Sequence, residues 1–135
     1  MSKQNLLLII FFLANSCSQN KTPTTIKLAH SLDVSHPVHK AMVYMANRVK
    51  EKSDGKMIVD IYPGGQLGNE RELIELLQIG SLAMTKVSTA PLEGFIPDMK
   101  IFGMPYLFEN DEHRWSILNG EIGKGLLQSG EPYFL

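Results

Sequence analysis

The chain has 135 residues, 13 basic against 14 acidic side chains, and a formal net charge of −1. That length allows one modest domain. The scattered, balanced charges lack the concentrated basic face that phosphate neutralisation needs, so nucleic acid is excluded as the main partner. The chain contains a single cysteine, Cys17, so no internal disulfide can staple it.

Residues Leu6 to Ala14 form an unbroken apolar run, "LLLIIFFLA". It is too short to span a bilayer, which takes about 20 apolar residues, but it has the length of a secretory signal core. Small residues at Ala14 and Ser16 place a cleavage site after residue 16, leaving Cys17 first. Residues 1–16 therefore read as a signal peptide. Cys17 is a candidate for lipidation, although Ala14 and Asn15 depart from the usual lipoprotein pattern; plain secretion is the alternative. Either way the protein is expected to be exported to the periplasm, and lipidation would anchor it to a membrane. Residues 17–25, "CSQNKTPTT", are polar and proline-interrupted and read as a tether, lipid-anchored or flexible.

From Ile26 the chain turns periodic. "IKLAH" (Ile26 to His30) alternates as a strand. Ser35 is placed to cap a helix with Pro37 in its first turn. Val38, Ala41, Met42, Met45 and Val49 then recur at helical spacing on what would be its buried side. Asp54-Gly55 ends it, and "KMIVDIY" (Lys56 to Tyr62) is a second strand rich in β-branched residues. After "PGGQLG", Asn69 caps a second helix with Leu73, Ile74 and Leu77 inward and Gly80 at its end. "LAMTKVS" (Leu82 to Ser88) is a third strand. Beyond Ser88 the pattern loosens. "FIPDMKIFGMPYLF" is apolar and proline-broken, and Asn110 to Leu127 divides into two short helices at Asn119-Gly120. Alternating strands and helices predict an α/β fold, mostly parallel sheet with flanking helices joined by right-handed crossovers.

In an open α/β sheet the ligand sits outside the carboxyl ends of the strands. Three segments reach that edge: His30-Ser31-Leu32, Pro63 to Glu70, and Ser88-Thr89-Ala90. The glycine turn is not a phosphate loop, because Asn69-Glu70 stands where a P-loop carries lysine and a hydroxyl. Glu70 and Glu72 in the helix's first turn would also repel an anion, while favouring the helix dipole. His36 and His39, three apart with His30 nearby, suggest zinc. No cysteine or carboxylate falls in ligand register with them, so no metal is expected. Ser88 lacks the glycine elbow of a nucleophile and no carboxylates are paired for acid–base work. No catalytic residue and no cofactor are assigned.

The strings "IKLAHSLDVSHP", "VKEKSDGKMIVDIYPGGQLGNERELIELLQIGSLAM", "STAPLEGFIPDMKIFGMPYLF" and "GEIGKGLL" together resemble the solute-binding proteins of tripartite ATP-independent periplasmic (TRAP) transporters, of the DctP type. The resemblance runs from about residue 26 to about residue 127. It implies the N-terminal part of a type II periplasmic-binding-protein-like fold, one lobe only, with 26–135 as a partial first lobe. It also implies a clamp without enzyme activity, which captures a small organic acid such as a C4-dicarboxylate, keto acid or sugar acid and passes it to TRAP permease subunits in the membrane. By the same resemblance Glu70 lines the cleft, with His30, Ser31, Ser88 and Thr89 along it. Arg71 pairs with Glu70, faces the ligand, or is a surface charge. The family's chains are more than twice as long and carry their main carboxylate-binding arginine further on, so the chain reads as a fragment. The competing class is a membrane-anchored lipoprotein interaction module without a small-molecule ligand.

Overall fold

The computed structural model describes residues 22–134, so the signal-peptide segment, Cys17 and most of the tether lie outside the described residues. Three strands form one parallel sheet in the order β2-β1-β3: β1 is Thr24–His30, β2 is Met57–Tyr62 and β3 is Met84–Lys86. β1 pairs with β2 from Thr24↔Met57 to Ala29↔Tyr62 and with β3 from Leu28↔Met84 to His30↔Lys86. It begins at Thr24, earlier than the alternation from Ile26 marks, because the Thr24 amide bonds back to the Lys56 carbonyl (2.8 Å).

Helix α1 (Pro37–Lys52) connects β1 to β2, and α2 (Glu70–Gln78) connects β2 to β3. Side chains alternate across a strand, so the two faces of the sheet separate cleanly. On one face Ala29, Leu73 and Leu82 form the buried core, with Tyr62 and Leu76 packed against it. On the other, Ile26, Val59 and Met84 lie beneath Met45 and Val49 of α1. The α2 side is the tighter one: Leu73 and Ile74 are completely buried, whereas no residue of α1 is. Val38, Met42, Met45 and Val49 are half-buried and Ala41 is exposed, since a three-stranded sheet is too narrow to cover a 16-residue helix.

The N-cap of α1 is His36 rather than Ser35. Pro37 has no N–H, so the residue just before it takes the capping role. The His36 Nδ1 accepts from the Val38 amide at 3.1 Å, while the Ser35 amide donates to Asp33 Oδ1 at 2.7 Å. Asn69 caps α2 as expected, in a reciprocal box. Its Oδ1 accepts from the Arg71 and Glu72 amides, and Glu72 Oε2 accepts from the Asn69 amide at 2.8 Å. Gly68 is required next to that box. It sits at φ +117°, and a Cβ there would stand 2.5 Å from Glu72 Oε2.

β3 is shorter than the Leu82 to Ser88 run, because β1 ends at His30 and nothing remains to pair beyond Lys86. Ser88 instead precedes a single helical turn, α3 (Thr89–Leu92). A 3₁₀ segment, Pro97–Gly103, follows, then α4 (Asp111–Asn119), α5 (Glu121–Gln128) and α6 (Glu131–Phe134). The break at Asn119-Gly120 falls where the sequence puts it. No described helix is long and apolar enough to cross a membrane.

Candidate functional site

In the order β2-β1-β3 the chain leaves β1 toward β2 on one side and leaves β3 on the other. The carboxyl ends of β1 and β3 therefore flank the point where the topology reverses, which is where α/β sheets hold ligands. The residues there are built up from three loops.

The loop after β1 is fixed by His30, which is fully buried at the strand's last position. Its Nδ1 accepts from the Leu32 amide at 3.2 Å. The proton of the neutral ring is thereby assigned to Nε2, which donates to His39 Nδ1 at 3.0 Å. Burial holds the His30 pKa below its ordinary value, and the neighbouring His39, Lys86 and His36 add to that. His30 is a brace beneath the rim, joining β1 to α1, with both ring nitrogens engaged. Ser31 stands exposed above it.

The glycine turn after β2 folds back onto this loop. The Gly64 amide donates to the Leu32 carbonyl (2.9 Å), the Gly65 amide to the His30 carbonyl (3.1 Å), and the Gly68 amide to the Gly65 carbonyl (2.9 Å). Those amides are spent inside the protein, so the turn launches α2 and does not cradle an anion.

Glu70, the first residue of α2, reaches across to the end of β3. Its Oε1 accepts from the Ser88 amide (3.1 Å), the Ser88 Oγ (3.2 Å) and the Lys86 Nζ (3.3 Å). Beneath them the Thr85 hydroxyl donates to the Ala29 carbonyl at 2.9 Å, tying β3 to β1. Glu70, Ser88 and the exposed Thr89 thus share one rim with Ser31. Arg71 does not pair with Glu70: its Nε donates to Glu75 Oε1 at 3.2 Å and its guanidinium lies 5.3 Å from the Phe95 ring centre, with most of the side chain exposed. His36 is occupied as a cap. Among the described residues no group of three His, Cys, Asp or Glu is arranged to hold a metal ion.

Two participants were missed from sequence. Lys86 reads as an ordinary strand lysine until the parallel register sets it beside His30. His39 reads as a metal candidate, and its contact with His30 needs the helix docked. The available signal for Lys86 was its place two residues before Ser88, at the strand end where the ligand edge begins.

The sequence model of the DctP family, described as bacterial extracellular solute-binding protein, family 7, matches residues 28–133, and this chain belongs to that family. The family is one of solute-binding transport proteins rather than of enzymes. An uncharacterized Salmonella typhimurium protein, YiiZ, is 38% identical over 107 residues, covering 78% of this chain and 32% of its own length. The sugar acid binding protein DctPAm of Advenella mimigardefordensis, solved in complex with galactonate, is 36% identical with a TM-score of 0.78 and covers 84% of this chain and 37% of its own. A TRAP periplasmic solute-binding protein of Sulfurospirillum deleyianum, solved with bound succinate, is 28% identical with a TM-score of 0.76, covering 82% and 36%. This chain spans about a third of the length of these relatives.

Proposed function

We propose that this chain forms the ligand-facing first lobe of an extracytoplasmic TRAP solute-binding component, which captures a small organic acid for delivery to a membrane permease. The observation that carries the reading is Glu70, whose carboxylate draws Lys86 and Ser88 into one polar cluster at the carboxyl ends of the strands. Ser31, Ser88 and Thr89 supply hydroxyls along the rim, and His30 holds the loop that carries Ser31. Arg71 contributes surface charge. The acids bound by the two structural relatives support the ligand class. Export rests on the Leu6 to Ala14 run, with lipidation at Cys17 as the anchor. Mass spectrometry finding Met1 intact and Cys17 unacylated would overturn that part.

Binding by one lobe is expected to be weak. A clamp gains affinity by burying most of its ligand and excluding water, whereas a single rim leaves a carboxylate hydrated and its charge contacts screened. Titration of the ¹⁵N-labelled chain with C4-dicarboxylates, keto acids and sugar acids tests the reading. At least one acid is expected to shift the Ser31, Glu70 and Ser88 amides, saturating at about millimolar, roughly 4 kcal/mol of binding free energy. If no acid in the panel moves those amides, the reading is wrong.

A further inference from the structure

Three histidines meet where β1 gives way to α1, and each is held as a neutral acceptor. The Leu32 amide donates to His30 Nδ1 at 3.2 Å, His30 Nε2 donates to His39 Nδ1 at 3.0 Å, and the Val38 amide donates to His36 Nδ1 at 3.1 Å. A neutral imidazole has one basic nitrogen, the one without the proton. In all three rings that nitrogen is Nδ1, and in all three it is already taken. The run cannot be reversed. If His39 donated from Nδ1, His30 would have to carry its own proton on Nδ1, facing the Leu32 N–H. A proton added to His30 or His39 therefore sets two N–H groups against each other and removes one bond of the run. A proton added to His36 removes the cap of α1.

We propose that these three histidines form an acid-operated latch on the connection between β1 and α1. At neutral pH the latch ties the loop from Ser31 to Ser35 and the first turn of α1 to the sheet. Proton uptake frees both, while the sheet and α2 stay formed. The loop is exposed except for the half-buried Leu32, so little burial holds it once the run is broken. Its other ties are to the glycine turn, through the Gly64 amide on the Leu32 carbonyl and the Gly65 amide on the His30 carbonyl. The groups acting on the pair of rings are His36 at the cap of α1, Lys86 of β3 and Asp33 in the loop. His36 and Lys86 oppose a cation at His30, and Lys86 is itself paired with Glu70 of α2 at 3.3 Å. Asp33 acts through His39 and is engaged by the Ser35 amide at 2.7 Å. Burial opposes the His30 cation as well. Charge on His36 and His39 falls at the N-terminal turn of α1, the end where the helix dipole disfavours cations. A released His30, back in water, takes up its proton at the ordinary value of 6.5, so falling pH favours the released loop below that point. The latch is independent of acid capture, because every bond in it lies within the chain.

The test uses the complete 135-residue chain, labelled with ¹⁵N. At about pH 8 the imidazole nitrogens should report His30, His36 and His39 as neutral Nε2–H tautomers. Between there and about pH 5 the Leu32, Val38, Gly64 and Gly65 amides should lose at least about tenfold in hydrogen-exchange protection, after correction for the intrinsic pH dependence of exchange. The Leu73 and Ile74 amides of α2 should keep theirs. His39→Gln retains an acceptor that does not titrate and leaves the enclosed His30 as the ring that must charge. The loss at Leu32, Gly64 and Gly65 should then move to lower pH. His113→Gln, away in α4, should leave it where it is. An Nδ1–H tautomer of His30 or His39 at about pH 8 overturns the latch, as does loop protection that stays constant down to about pH 5. Loop and α2 amides losing protection together would mean a global transition and overturn it too. So would a His39→Gln chain that keeps a dispersed spectrum and the parent's midpoint. If that variant does not fold, the tautomers and the exchange of the unaltered chain decide the matter.

Discussion

The molecule divides at Ser88 into two stretches with very different interiors. Before it, three strands and two helices close both faces of a sheet, and Leu28, Ala29, Val59, Leu73, Ile74 and Leu82 are buried. After it, the helices are well formed but bury only Ile96 and Met99 among the hydrophobics. Ile101, Met104, Tyr106, Trp115, Ile122 and Leu127 remain exposed, and the helices surround an apolar pocket of about 210 Å³. Helix formation is decided by caps and local propensity, while burial is decided by what lies opposite. A sheet supplies that opposite surface for α1 and α2. Among the described residues nothing comparable lies under α4 and α5, which meet mainly each other. There Gly123 packs so close to the Leu118 carbonyl that a Cβ could not be accommodated.

The sharpest way to break this comparison is by truncation in each stretch. Leu73→Ala, at a fully buried position, should cost about 2–5 kcal/mol. Trp115→Ala, at 54% exposure, should cost under about 1 kcal/mol despite removing a larger side chain. Urea denaturation followed by circular dichroism gives both numbers, and similar costs would mean that the second stretch has a core of its own. A smaller effect is expected from acid on the sheet side. The folded His30 pKa is lowered by burial, with His39, Lys86 and His36 contributing, so the unfolded chain takes up its proton first. Stability from this group is therefore complete above the ordinary value of 6.5 and falls as pH drops below it toward the folded pKa. Asp33, held low by hydrogen bonding from Ser35, titrates in a more acidic range and does not blur that window. Urea midpoints should fall between pH 7 and pH 5, and His30→Gln should flatten that part of the profile. An unchanged slope in the variant would show that another group is responsible. Smallest of all is Arg71→Ala. Its exposed pair with Glu75 is worth no more than about 1 kcal/mol, and acid titrations should be indistinguishable from the parent chain.

What could be read from the sequence follows the same division. The strand–helix alternation up to Ser88 was legible because apolar period, caps and glycine stops agree there. Asn69, Glu72 and Gly80 mark α2 almost residue by residue. The cap of α1 was misplaced by one residue, since Ser35 is the better cap by type and only Pro37's missing N–H gives the role to His36. The length of β3 was not legible because it depends on where its neighbour stops. For the same reason the rim was only half visible. Glu70 and Ser88 lie at ends the sequence marks, but Lys86 joins them through register with His30, and register is a property of two strands. In the second stretch α4 and α5 were legible, α3, the 3₁₀ segment and α6 were not, and neither was the exposure of the helices, because no single helix encodes what it will pack against.

The parallel pairing has a consequence for how the chain folds. Each strand contact joins segments separated by an entire helix, from Thr24↔Met57 to Leu28↔Met84, so the sheet contains no hairpin that could form early from neighbouring residues. Ordering must begin in the helices and their turns, where contacts are local, and the strands can only zip once a crossover has brought them together. β1 is the first of the three strands to emerge during synthesis, and its second edge is filled only when β3 arrives, after β2 and α2 have been made. The segment from Thr24 to His30, with Ile26, Leu28 and Ala29 in it, therefore waits longest with an edge unpaired, and it is there that a nascent chain is most exposed to wrong partners.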